Sequence, residues 1–292
     1  MPHLKIRIFM KRILLASIAC LSLVTLHSSG AWWLGSNTLA TTRPMNNIVI
    51  LRPSGVNTQT TADNIAVTWT CSTIDNKGNT ILAGTYQGGW GNQFVVAWIT
   101  PGTNLQGTTV IIPAMDGGEA ADMGGDQCLA VTTDKSGNVY LGGSSADITG
   151  QTRFAVVKIN NRTKQLDPSF GESGVVRFEY CLAGGVNDKC TALTIDKQGK
   201  LVVAGTSGDD AGNTYFALAR LTRNGGFDRT LGNSYAHPGT YVVKPTLAGG
   251  INDICTTVTI DSRNGILLSG TSADMNGNSF FASIRFPKNQ RW

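Results

Sequence analysis

LAGGVNDKC, Leu182 to Cys190, and LAGGINDIC, Leu247 to Cys255, are one phrase written twice, 65 residues apart and differing at two positions. Chance does not place Leu-Ala-Gly-Gly, an Asn-Asp pair and a Cys in one register twice, so the chain reads as a repeated unit. Each phrase runs into a short stretch rich in Thr, Val and Ile that meets a tight turn opened by Asp. Aligned on that Asp, four copies emerge: TIDNKGNTILAG at Asp75, TTDKSGNVYLGG at Asp134, TIDKQGKLVVAG at Asp196 and TIDSRNGILLSG at Asp261, spaced by 59, 62 and 65 residues. Two apolar runs joined through Asp-x-x-Gly, or a one-residue variant of it, predict a β-hairpin.

A Phe 19 or 20 residues after each Asp opens a third strand: FVVAW from Phe94, FAVVK from Phe154, FALAR from Phe216 and FASIR from Phe281. GVVRFEY from Gly174, GTYVVKP from Gly239 and TTVIIP around Val110 supply a fourth, and nothing between reads as a useful helix. Units of about 60 residues, each a four-stranded antiparallel meander, fit the blades of a β-propeller, where repetition around an axis buries both faces of every small sheet. The first strand carries that two-sided pattern. Val131, Leu193 and Val258, in step with Ile195 and Ile260, make a bulky face. Alternation puts Cys128, Ala130 and Thr132, and their copies from Cys190 and Cys255, on a small face, as suits the innermost strand.

The Asp-x-x-Gly hairpin, the strand ending in Ala-Gly, Phe-x-x-x-Arg and then Leu-Asp-x-x-Phe-Gly-x-x-Gly-Val together resemble the delta-60 repeat of bacterial β-propellers. QLDPSFGESGVV, Gln165 to Val176, carries the resemblance best; GFDRTLGNS has Leu231 where Phe is expected, and the first unit has lost the segment. The resemblance covers roughly Asp63 to Phe286. It implies the fold and a site outside the cytoplasm, not a reaction. The units are placed at about 63–125, 126–187, 188–252 and 253–292, after an N-terminal segment, 32–62. The last stops after its third strand. NNIVILRPSG, Asn46 to Gly55, is expected to pair as its outer strand and close the ring of four blades, which removes an exposed edge. The rival is a ring completed by a second copy of the chain.

Residues 1–31 read as a secretory signal peptide: Lys5, Arg7, Lys11 and Arg12 precede the 14-residue apolar run Ile13 to Leu26, and Ser29-Gly30-Ala31 offers small residues for cleavage. The run is too short to span a bilayer, so no stable membrane span is expected after its removal, and the protein is expected to be periplasmic or secreted. The leader holds four of the 24 basic residues and none of the 19 acidic ones, which leaves 20 against 19. A nearly neutral chain gives no basis for a nucleic-acid partner.

Two sets of acids recur. Asp126, Asp188 and Asp253 stand at the crossovers into blades, and Asp147, Asp209 and Asp274 in the loops between second and third strands. In a meander both connections lie at one end, which predicts an acidic loop face; the local alternative is that each Asp caps its own loop. The first unit adds Tyr86 and Trp90 in YQGGWGN, where the others have Asp, and a tryptophan between glycines in a loop marks a binding surface. These eight residues are the expected ligand-binding set, for a protein or a glycan. Calcium is the one cation the carboxylates suggest, and no other cofactor is expected. No catalytic residue is assigned, because nucleophile elbows, zinc motifs and phosphate loops are missing and His237 alone cannot make a triad. The alternative function is a carbohydrate-active hydrolase or lyase using the loop-face carboxylates. Five cysteines follow the leader. Cys128, Cys190 and Cys255 share one position, and Cys181 with Cys190, at opposite ends of one connection, is the candidate disulfide.

Overall fold

Asp75, Asp134, Asp196 and Asp261 each turn the chain back by one device. In the first hairpin the Asp75 carboxylate accepts the N–H groups of Lys77 and Asn79 at 2.9 and 2.8 Å, and Gly78 takes φ 81°. Gly137 and Gly199 repeat this geometry, and in the fourth hairpin Asn264 holds the left-handed position at φ 63°, which asparagine tolerates best among residues with a Cβ. The structure, a computed structural model, describes residues 66–88, 91–100, 107–113, 115, 125–147, 149–232, 237–244 and 246–287, all of the unit Thr41–Trp292. The expected signal peptide, the strand Asn46 to Gly55 and Trp90 lie outside the described residues.

Among these residues there is no helix. The first sheet holds β1 (Ala66–Ile74), β2 (Thr80–Gly88), β3 (Gly91–Ile99) and β4 (Gly107–Ile111). The second holds β5 (Gln127–Thr133), β6 (Val139–Ala146), β7 (Thr152–Ile159) and β8 (Val175–Arg177), and the third β9 (Asp188–Ile195), β10 (Leu201–Gly208), β11 (Thr214–Leu221) and β12 (Thr240–Val242). The fourth has β13 (Asp253–Ile260), β14 (Ile266–Ala273) and β15 (Ser279–Phe286). Every sheet is an antiparallel meander in chain order. Each of the four Asp turns joins the first two strands of one sheet.

One expectation about the first strand is corrected. A β-bulge directly after Trp69, Cys128, Cys190 and Cys255 inserts a residue into the pairing. It shifts parity, so that Cys190 packs with Leu193 and Ile195 in one cluster, while Ala192 faces the next sheet. The bulge also explains the glycine in the middle of each second strand. A Cβ on Gly143, Gly205 or Gly270 would sit 1.8, 1.9 and 1.9 Å from the carbonyl oxygens of Gln127, Lys189 and Ile254, so the bulged backbone occupies the side-chain space.

Three buried clusters join the sheets in series. Ile81, Phe94 and Val96 of the first pack against Cys128, Leu141 and Val157 of the second; Phe154 and Val156 of the second against Cys190, Val203 and Ala219; Phe216 and Leu218 of the third against Cys255, Leu268 and Phe286. Phe94, Phe154 and Phe216, one position of the repeat, are wholly buried between neighbouring sheets. No cluster of described residues joins the fourth sheet to the first. The repeat's Phe-x-x-x-base also acquires a reason: Lys158 bonds Asp167 at 2.8 Å and Arg220 bonds Asp228 at 2.6 Å, tying the third strand to the Leu-Asp or Phe-Asp segment beyond it. The first unit, which lacks that segment, has Trp98 instead, with the Lys164 ammonium 4.4 Å from its ring centre.

Candidate functional site: the crossover end

The phrase LAGG-V/I-ND is a clasp. As the chain crosses from one sheet to the next, Asp188 accepts the Leu182 N–H at 2.8 Å through one oxygen and the Ser207 hydroxyl at 2.5 Å through the other, and Ser207 in turn accepts the Ala183 N–H at 2.7 Å. Asp253, Ser272, Leu247 and Ala248 repeat the set: Leu247 N–H to Asp253 at 2.9 Å, the Ser272 hydroxyl to Asp253, and Ala248 N–H to Ser272 at 2.8 Å. Gly185 and Gly250 lie so close to the next loop that a Cβ would fall 2.4 Å from the Asp209 carbonyl carbon and 2.3 Å from the Ala273 oxygen. The carbonyls of Val186 and Ile251 accept the N–H groups of Thr152 and Thr214 from the preceding sheet. Each phrase thus joins two consecutive sheets through its backbone, while its Cys enters the core between them.

This changes the standing of three expected ligand acids. Asp188 and Asp253 are wholly buried and Asp126 nearly so; Asp126 accepts the Met115 N–H at 3.0 Å from its own crossover. Burial pushes the Asp188 carboxyl up to about 6 against the hydrogen bonds from Ser207, Leu182 and Gly208, which favour the ion. These carboxylates face the crossover backbone rather than the solvent. Both oxygens of Asp188, one of the carboxylates on which the calcium expectation rests, are engaged.

Asp147, Asp209 and Asp274 lie at the same end, half-buried, and each caps its own loop. Asp209 accepts the N–H groups of Ala211 and Asn213 at 3.0 and 2.9 Å with Gly212 at φ 82°, the hairpin device over again, and Asp147 and Asp274 do likewise. Bonds from the Asn213 side chain, then Tyr215 and the loop backbone, hold Asp209 down at about 2, and Thr149 with Arg153 lowers Asp147 further. Tyr86 sits half-buried in β2, opposite Val67; this pair occupies the place of the Ser–Asp pair, so the first sheet has no such clasp. Cys181 and Cys190 are both free thiols: Cys181 donates to the Thr152 carbonyl at 3.5 Å, whereas Cys190 lies in the core against the site of Gly142. His237 stacks on Tyr180 with ring centres 3.6 Å apart. Among the described residues no three His, Cys, Asp or Glu side chains are disposed around a metal ion, and no helix is long and apolar enough to cross a membrane.

Beside polar residues such as Asn187, Asp210 and Asn252, the crossover end presents four large apolar side chains to solvent. Val186 and Ile251, the one variable aliphatic position of the clasp, are exposed, Ile251 by 60%, and Met275, in the next loop, by 90%; Phe280 beside it is half exposed. The signal was present in the sequence, because a position between Gly-Gly and Asn-Asp that only its backbone serves has no folding reason to be Val and Ile. A concavity of about 640 Å³ runs along β8, lined by Met115, Glu172, Arg177 and Glu179 among others; Arg177 has buried Nε and Nη2 atoms without a hydrogen bond.

Four serial antiparallel meanders with buried inter-sheet cores define a propeller-like, all-β protein. A family model described as "Domain of unknown function (DUF5122) beta-propeller" matches residues 199–231, the span from the third hairpin turn to Leu231. No curated protein matches the sequence. Among solved structures, a hypothetical protein from Leishmania major is similar at 10% identity and a TM-score of 0.27, over 77% of this chain and 87% of that one.

Proposed function

We propose that this chain is an exported, non-enzymatic β-propeller of the delta-60 type that serves as a binding or scaffold module for a protein or glycan, with the crossover end as its docking surface. The observation that supports it most is the pair Val186 and Ile251: this aliphatic position of the repeated phrase is exposed in both crossovers, as are Met275 and Phe280 at the same end. Contiguous exposed apolar side chains on a folded surface mark contacts with other molecules. They favour a protein over a glycan. Within this reading, Asn46 to Gly55 supplies the fourth strand that β15 lacks among the described residues. Its distance to β1, from Gly55 to Ala66, equals that from Arg177 to Asp188, where an outer strand leads to the next inner one.

The test uses chain 32–292 as bait in a native extract, alongside the Val186→Asp/Ile251→Asp variant, with a glycan array as the second arm. Binding of a defined partner should fall at least about tenfold in the variant, the effect of losing roughly 1.4 kcal/mol, while its melting temperature stays at the wild-type value. Equal capture by both proteins would reject the crossover end as the docking surface.

A further inference from the structure

We propose that the outward face of the fourth sheet is a docking site for a second copy of this chain, which seats the inner strand of its first sheet there, head to tail. The inference stands on two internal interfaces, first–second and third–fourth, which repeat one set of contacts; in the second–third interface Leu129 and Ser144 hold the corresponding places and the Ser144 hydroxyl makes no hydrogen bond. Between first and second sheets, the Cys128 N–H is donated to the Thr85 hydroxyl at 3.2 Å and the Thr70 hydroxyl is donated to the Cys128 carbonyl at 2.6 Å. Between third and fourth, Cys255 N–H meets Thr206 at 3.1 Å and Thr191 meets the Cys255 carbonyl at 2.6 Å. The repeat Phe closes over each of these contacts.

The fourth sheet carries every part of that set, unfilled. Thr271 stands where Thr85 and Thr206 stand, Thr256 where Thr70 and Thr191 stand, and both are exposed. Thr256 reaches only the Ser269 carbonyl of its own sheet, at 3.3 Å. Phe281, the fourth repeat Phe, is 78% exposed, and in register beside it Ile254 replaces the Gln127 and Lys189 of the other units with an exposed aliphatic. A face that awaits only water has no use for either.

The complementary half lies at the other end of the series. Ile195 and Ile260 pack into the clusters between sheets, and Ile74, at their position in β1, is 67% exposed. The third strand of that sheet is buried at Val95, Ala97 and Ile99, so β1 is the part on offer. The two halves also match in size. Trp69 takes the place of the interface cysteine, while Ser283 replaces the Val96, Val156 and Leu218 of the other units, and Ser269 stands where Gly142 lies against Cys190. A larger side chain on one surface meets smaller ones on the other, and the Ser hydroxyls can accept the indole N–H. Such an interface is heterologous, so two copies close only by making it twice.

The experiment is sedimentation velocity of chain 32–292 over a concentration series, with Phe281→Asp and Ile74→Asp made separately. Wild type is expected to associate, and each variant alone to sediment as a monomer, with dissociation constants raised at least about a hundredfold. Mixed one to one, the two variants should associate again, because the Phe281 of one and the Ile74 of the other rebuild one wild-type interface. Phe280→Asp, at the crossover end, should associate as wild type. A wild type that stays monomeric at every concentration overturns the proposal; hydrogen exchange then tells whether residues 46–55 of the same chain cover Phe281. Association that survives Phe281→Asp, or variants that fail to rescue each other, overturns it as well.

Discussion

Asp188→Ala should lower the stability of the protein by about 3 kcal/mol, since it leaves the buried Leu182 N–H and Ser207 hydroxyl without their acceptor and each such loss costs roughly 1–3 kcal/mol. For a domain of this size that is a fall of about 6–12 °C in melting temperature, and Asp253→Ala should match it through Leu247 and Ser272. Asp147→Ala and Asp209→Ala, which release loop caps only, should cost about 1 kcal/mol or less. Differential scanning calorimetry checks the ranking, and equal effects of Asp188→Ala and Asp209→Ala would count against the clasp. The carboxylate has a pH signature too. Its folded-state value of about 6 lies above the ordinary 3.8, so the native state binds the extra proton and the contribution of Asp188 is greatest below pH 4 and lost as pH rises through 6. Asp188→Asn cannot titrate. Its melting temperature relative to wild type should therefore improve between pH 4 and pH 7.

Phe216→Ala is expected to be the most damaging of the aromatic truncations, at about 3–5 kcal/mol, with Phe154→Ala close to it, because each empties a fully buried site between two sheets. Phe281→Ala, the same substitution at the same position of the repeat, should change the stability of the dissociated chain by less than about 0.5 kcal/mol. Urea unfolding at low protein concentration measures all three. A Phe281→Ala loss equal to that of Phe216→Ala would mean that the fourth sheet is covered within one chain. The contrast separates what a repeat encodes from what its neighbours complete.

The hairpins were legible because Asp and Gly at fixed offsets act locally: Asp75 and Gly78 need nothing beyond five residues to make their turn. The third strands were legible because Phe94, Phe154 and Phe216 recur in an apolar setting that only a core explains. The side of the inner strand on which Cys190 lies was not, since one bulge reverses the alternation and no residue type announces it; the nearest signal is Gly205, four strand positions into the partner strand. The acids misled in a different way. Asp188 and Asp209 both sit at the crossover end as short carboxylates flanked by polar and small residues, yet one is buried against Leu182 and Ser207 and the other caps a turn with Gly212. Sequence gives their spacing, and only the approach of a neighbouring loop decides which backbone each will bind. The exposure of Phe281 is of the same kind, being a property of what packs on it.

The clasp is the central element, because it turns a repeated phrase into the joint between successive sheets, and amide hydrogen exchange reads it directly. The N–H groups of Leu182, Ala183, Leu247 and Ala248 lie in irregular crossovers but are each bonded to a buried Asp or Ser. They should exchange as slowly as the strands β10 and β14 that they bridge, and Asp188→Ala should release Leu182 and Ala183 while leaving Leu247 and Ala248 protected. Exchange of all four at the rate of exposed loops in the wild-type protein would contradict the account.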